Sequence, residues 1–134
     1  MVFRRTLIGD LRMGLQSEKD IKPILEAKFG MLEKTSTYHP MDYQGDVWIE
    51  IKTRNVKKDT YPTTMLPYSK IVFAKTADKP VWFIFVFTDG IYYIEYSEEL
   101  FDTFTVNDFQ RTGRDVYDKK QEYIYIPKES LSPI

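Results

Sequence analysis

The chain contains no cysteine, which excludes disulfides and thiolate metal sites and leaves the redox compartment open. It also has no long apolar run. The longest, VWFIFVF at residues 81–87, falls far short of the roughly 20 residues that cross a bilayer as a helix. The opening MVFRRTLIGD has no apolar signal-peptide core, so an intracellular protein without membrane association is the expectation. There is a single histidine, and neither an internal repeat nor a low-complexity tract is visible. Net charge is nearly absent: 19 Lys and Arg against 20 Asp and Glu leave −1. A protein dedicated to coating nucleic acid would carry a clear basic excess, so bulk electrostatics weigh against that role. What the chain does have is aromatic residues, 16% of the total with ten Tyr and nine Phe, a composition that favours strands. At 134 residues it reads as one domain able to bury roughly two-thirds of its unfolded surface.

In QSEKDIKPILEAKFG, Ile21, Ile24, Leu25 and Phe29 recur at helical spacing and form one stripe. Gly30 supplies a stop, and either Ser17 or Asp20 supplies the cap. With Ser17 as cap, Pro23 falls in the second turn and kinks the helix; with Asp20 as cap, it sits in the first turn without cost. Residues 32–43 read as one strand, Gly45 and Asp46 as a turn, and Val47–Thr53 as the return strand. Tyr68, Ile71, Val72 and Lys75 predict a second helix over residues 66–76. VWFIFVFTDGIYYIEY predicts a hairpin about Asp89-Gly90 whose first strand, apolar on both faces, is central in its sheet. FDTFTVNDFQ is open between a short helix and a strand, RTGRDVYDKK reads as a polar loop, and EYIYIP as a strand. The fold class is therefore α/β, a mixed sheet with helices packed on it.

Within this frame HPMDYQGDVWIEIKTRN, residues 39–55, places acids and a base in an otherwise apolar hairpin. Alternation puts Glu50 and Lys52 on one strand face and Ile49 and Ile51 on the other. If the chain turns through Gly45-Asp46-Val47, Tyr43 pairs with Ile49 and Asp42 with Glu50, leaving the two carboxylates about 5 Å apart at Cβ. Opposed like charges destabilise a hairpin and raise each other's pKa. A hard divalent cation, Mg²⁺ or Mn²⁺, relieves that repulsion through oxygen ligands. An ammonium at Lys52 suits the stabilisation of an attacking water and of charge developing on phosphorus. Plain edge-strand polarity is the competing explanation for Glu-x-Lys.

Pro40-Met41-Asp42 followed by Glu50-Ile51-Lys52 resembles the signature of the PD-(D/E)XK nuclease superfamily, which includes restriction endonucleases and Holliday junction resolvases. The resemblance covers a core of about residues 14–96 and leaves 97–134 as an extension unlike anything in it. It implies a restriction endonuclease-like core of order α-β-β-β-α-β, one strand more than the residue pattern shows before the second helix. It further implies a Mg²⁺- or Mn²⁺-dependent nuclease, with Asp42, Glu50, Glu18 and Ile51 at the metal and Lys52 as the activating group. Glu18 is the helper acid on the first helix because it lies about 45° from the centre of the apolar stripe, against about 125° for Glu26. Lys70 is the best-placed counterpart of a second-helix lysine found in several members, although a solvated surface lysine is the reading favoured by its residues alone. His39 reads as a turn or strand-edge residue and Asp46 as a turn residue.

Lys52, Arg54, Lys57 and Lys58 fall within seven residues, and Arg111, Arg114, Lys119 and Lys120 form a second basic group. Solvated loops explain either group equally well. On the nuclease reading, Arg54, Lys57, Lys58 and Lys70 contact nucleic acid, with DNA favoured and RNA left open. Analogy alone suggests a homodimer or a place in a larger complex. The alternative is a nuclease-fold binding module that does not cut, or a subunit of a DNA-processing complex.

Overall fold

The structure is a computed structural model describing residues 18–109 and 121–134. The Ser17 cap and the basic group at Arg111, Arg114, Lys119 and Lys120 lie outside the described residues, as does the expected loop at 111–120.

Helix α1 spans Glu18–Phe29. Asp20 is inside it, so the alternative cap at Asp20 is excluded and Pro23 is an interior residue. Pro23 lacks the amide that would bond to the carbonyl four residues back. Ile21 and Leu25 are buried as the stripe predicts, and Gly30 ends the helix with φ +86, in the left-handed region.

The stretch expected to be one strand divides into two short ones, β1 (Glu33–Lys34) and β2 (Tyr43–Gln44), separated by a turn-rich loop. This supplies the missing strand. β2 pairs antiparallel with β3 (Trp48–Thr53) in the expected register, Tyr43 opposite Ile49 and Gln44 opposite Trp48. Gly45 is obligatory at this corner, because a Cβ there would lie 2.4 Å from the Met31 carbonyl oxygen. β5 (Val81–Phe87) lies parallel to β3, and β6 (Gly90–Glu95) antiparallel to β5. With β9 (Ser132–Pro133) they form a six-stranded mixed sheet in the order β1-β2-β3-β5-β6-β9. The hairpin loop is Thr88-Asp89, one residue earlier than expected: Gly90 already pairs with Phe87 and does not have a positive φ.

The second helix, α2 (Tyr68–Lys75), begins two residues late because Thr63–Pro67 forms an unexpected strand, β4. A short helix, α3 (Glu98–Phe101), is capped by Ser97, whose Oγ accepts from the Leu100 amide. Beyond it the chain forms strand β7 (Thr105–Phe109), and β8 (Gln121–Pro127) covers the predicted EYIYIP strand. These join β4 in a second sheet of order β4-β8-β7.

The element order α1-β1-β2-β3, then α2, then β5 meets the expected α-β-β-β-α-β core, with β4 inserted before α2. Two apolar clusters flank the large sheet. Ile21 and Leu25 of α1 pack with Ile49, Ile84 and Val86 on one face. Ile71 and Ala74 of α2 pack with Phe83 and Phe85, and with Ile124 and Ile126 of the second sheet, on the other. Val72, placed on the apolar stripe by spacing, is exposed. Among the described residues no helix is long and apolar enough to cross a membrane.

Candidate active site

Strand alternation decides where Glu50 goes. Ile49 faces the α1 side, so Glu50 faces the side built by α2 and the second sheet, opposite Phe83 of β5. It is only 3% exposed. Such a carboxylate costs free energy unless it is paired, and two lysines approach it. Lys52 Nζ lies 3.3 Å and Lys70 Nζ 3.2 Å from Glu50 Oε2. Its other oxygen, Oε1, is buried and meets no hydrogen-bond donor among the described residues. Burial, and then the negative charge of Asp42, raise the Glu50 pKa from 4.5 to about 7, although Lys52 and Lys70 pull it down.

Asp42 reaches the site differently from the expected strand pairing. β2 begins at Tyr43, so Asp42 is not a ladder partner of Glu50. Its carboxylate Oδ2 instead accepts the Ile51 amide at 2.8 Å. Its own amide donates to the Ile49 carbonyl at 2.8 Å, and its carbonyl accepts from the Thr35 amide at 3.0 Å. The Thr35 hydroxyl also bonds to the Met41 and Asp42 carbonyls. Thr35 therefore clamps the backbone that presents Asp42. This buried threonine was not singled out by sequence, because β1 is too short to show a pattern.

Lys70 lies one residue before Ile71 and four before Ala74, at the edge of the buried side of α2. Its ammonium donates to the Pro40 carbonyl as well as pairing with Glu50, so the surface-lysine reading gives way. Pro40, Asp42, Glu50, Lys52 and Lys70 thus converge from a loop, a strand and a helix. Ile51, one of the expected metal residues, enters this network through its amide.

Other expected residues stand elsewhere. α1 packs on the sheet face opposite Glu50, so Glu18 sits at the start of a helix on the far side, and its side chain is outside what is described. Glu26, expected to point to water, is half-buried and accepts the Leu32 amide at 2.8 Å, holding the chain that leaves the helix. The His39 Nδ1 accepts the Met41 amide at 3.0 Å and the ring stacks on Trp48, a structural placement beside the turn. Asp46 is an exposed turn residue. Arg54 is half-buried and bonded to the Met65 carbonyl of β4, with its guanidinium over Phe85, so it ties β3 to the second sheet. The Lys58 ammonium lies over Tyr92 and 3.9 Å from Asp59, whereas Lys57 is exposed.

The donor chemistry fits a hard divalent cation: two close carboxylates, one with a buried oxygen that has no donor. Among the described residues no three acids or histidines gather as a full ligand set, so solvent and substrate oxygens would complete it.

No curated protein and no solved structure matches the chain. A family model described as "Phage putative PDDEXK endonuclease" matches residues 10–133, nearly the whole sequence and well past the core that the motif resemblance covered. The acid-Glu-x-Lys hairpin, the α-β-β-β-α-β order and this match agree: the chain belongs to the phage PDDEXK endonuclease family.

Proposed function

We propose that the protein is a Mg²⁺- or Mn²⁺-dependent nuclease that hydrolyses phosphodiester bonds in DNA at the Glu50 site. The observation that carries this reading is the meeting of Glu50, Asp42, Lys52 and Lys70 around a buried carboxylate oxygen with no donor. Glu50 and Asp42 would hold the cation, with Ile51 as a further candidate from the sequence pattern; Glu18, the other candidate, starts a helix that packs on the opposite sheet face. When bound, the cation supplies Lewis-acid polarisation of a phosphoryl oxygen and acidifies the attacking water.

The protein's own groups do the rest. Asp42 is pre-oriented by the Ile51 amide and by Thr35, which avoids reorganisation during reaction. Lys52, the more exposed lysine, orients the attacking water and offsets negative charge on the transferring phosphoryl group. Lys70 balances the acid pair and holds the Pro40 loop against α2. Water adds to phosphorus, one ester P–O bond breaks, and the products are an alcohol and a phosphomonoester.

The test is incubation of the protein with linear, single-stranded and branched DNA and with RNA, in Mg²⁺, Mn²⁺ or Ca²⁺. Mn²⁺- or Mg²⁺-dependent cleavage, abolished in Asp42→Asn and Glu50→Gln, is expected. Binding of metal and nucleic acid with no cleavage of any substrate would favour the non-cutting binding module instead.

A further inference from the structure

A cleft of about 690 Å³ opens where the end of β3 meets β4 and β8. Lys52, Arg54, Lys57 and Lys58 line it, and among the described residues no Asp or Glu does. Tyr61, Tyr123 and Tyr125 line it as well. The period of two along the second sheet explains the tyrosines. Ile124 and Ile126 of β8, and Leu66 of β4, point into the core, so the alternate residues Tyr123 and Tyr125 face outward. The register sets them beside Pro67 and Met65, which also line the cleft. Tyr61 stands at the rim, 60% exposed.

We propose that this cleft holds an unpaired DNA strand leading into the Glu50 site, with phosphates on the lysines and bases stacked on the tyrosines. The inference rests on the nuclease reading above and names its substrate class, DNA with a single-stranded arm. Lys52 belongs both to the cleft lining and to the Glu50 ion pair, so a strand lying there is continuous with the site of cleavage. Lys57 is exposed beside Lys52 and Lys58, and such a cluster of cations suits a polyphosphate backbone. Aromatic rings on a sheet face stack bases without regard to sequence, because every base has a π-face. The volume lies in the range that encloses small ligands and accommodates about one or two nucleotides.

Binding is measured by fluorescence anisotropy in metal-free buffer, with a labelled short oligothymidylate and a blunt duplex of equal length. The full chain binds the single strand more tightly than the duplex. Tyr125→Leu and Tyr61→Ala each weaken single-strand binding about tenfold, the scale of one lost base stack, and leave duplex binding unchanged. Tyr125→Phe retains wild-type affinity because stacking needs the ring and not the hydroxyl. Tyr61 is exposed at the end of a 3-10 turn, so its truncation reads out even if Tyr125→Leu perturbs the sheet. Equal affinity for the blunt duplex, unchanged binding in Tyr61→Ala, or preference for oligouridylate would overturn the inference. Cleavage of duplex and single strand alike, insensitive to the tyrosines, would sink it while leaving the nuclease reading intact. Tyrosine-dependent strand binding without cleavage would sink the nuclease reading and leave the cleft assignment standing.

Discussion

Glu50 should make the metal-free protein lose stability as pH rises. Its pKa is about 7 in the folded chain against an ordinary 4.5, so between those values the native state binds more protons than the unfolded state. Stability contributed by the protonated form is fully present below about 4.5 and is lost as pH rises through about 7. At about 1.4 kcal/mol per tenfold change in proton affinity, that separation is worth about 3 kcal/mol. Glu50→Gln mimics the protonated carboxyl without titrating. In EDTA, wild type and Glu50→Gln should be similarly stable near pH 4. By pH 8 the variant should be more stable by about 3 kcal/mol, a shift of about 1–2 M in a urea midpoint. Saturating Mn²⁺ should stabilise wild type by mass action and leave Glu50→Gln unmoved. The assay is urea unfolding at several pH values with and without Mn²⁺. Parallel loss of stability in both proteins from pH 5 to 8 would refute the buried, charge-opposed environment assigned to Glu50. A Mn²⁺ gain in Glu50→Gln equal to that of wild type would put the metal elsewhere.

Lys52→Ala should still bind Mn²⁺ by calorimetry and retain nucleic acid in Ca²⁺ while single-turnover cleavage falls at least about tenfold; cleavage at the wild-type rate would reduce Glu-x-Lys to strand polarity. Lys57→Ala with Lys58→Ala should weaken nucleic-acid binding and flatten its salt dependence with little change in rate at saturating substrate, as measured by a salt titration; an unchanged slope would show that neither lysine meets phosphate. Glu26→Ala should cost about 1–2 kcal/mol in urea unfolding by leaving the Leu32 amide without its charged acceptor, and a change below about 0.5 kcal/mol would show that water replaces the carboxylate fully. Gly45→Ala should cost about 1–3 kcal/mol, because its methyl meets the Met31 carbonyl rather than a yielding side chain; unchanged stability would mean that the corner shifts freely.

The central hairpin was legible because its signals are local. Gly45-Asp46 between two apolar runs sets the turn, the turn sets the register, and the register carries Glu50 and Lys52 to one face. The β5–β6 hairpin and the α1 stripe were legible for the same reason, and β5, apolar on both faces, is central as expected. The strands β1, β2 and β9 are two residues each, too short for a period, and exist because a neighbouring strand accepts them. β4 shows no apolar-polar alternation, with Thr63 and Thr64 followed by Met65 and Leu66, and its last residue, Pro67, leads directly into α2.

The sequence by itself determined the chemistry that is present: two acids and a lysine in a short hairpin, no thiol, a single histidine and a basic run just downstream. Tertiary structure alone decided which charges meet. Lys70 is 20 residues from Glu50 and comes beside it only because α2 crosses that sheet face. Glu26 and Arg54 carry charges that sequence assigns to solvent or phosphate, yet packing gives each a backbone partner. Tyr123 and Tyr125 join Lys52 around one cleft because β4 accepts a strand from the far end of the chain. Local periodicity fixes the face a side chain presents; long-range strand pairing fixes what stands opposite it, and a single residue's spacing carries no record of that.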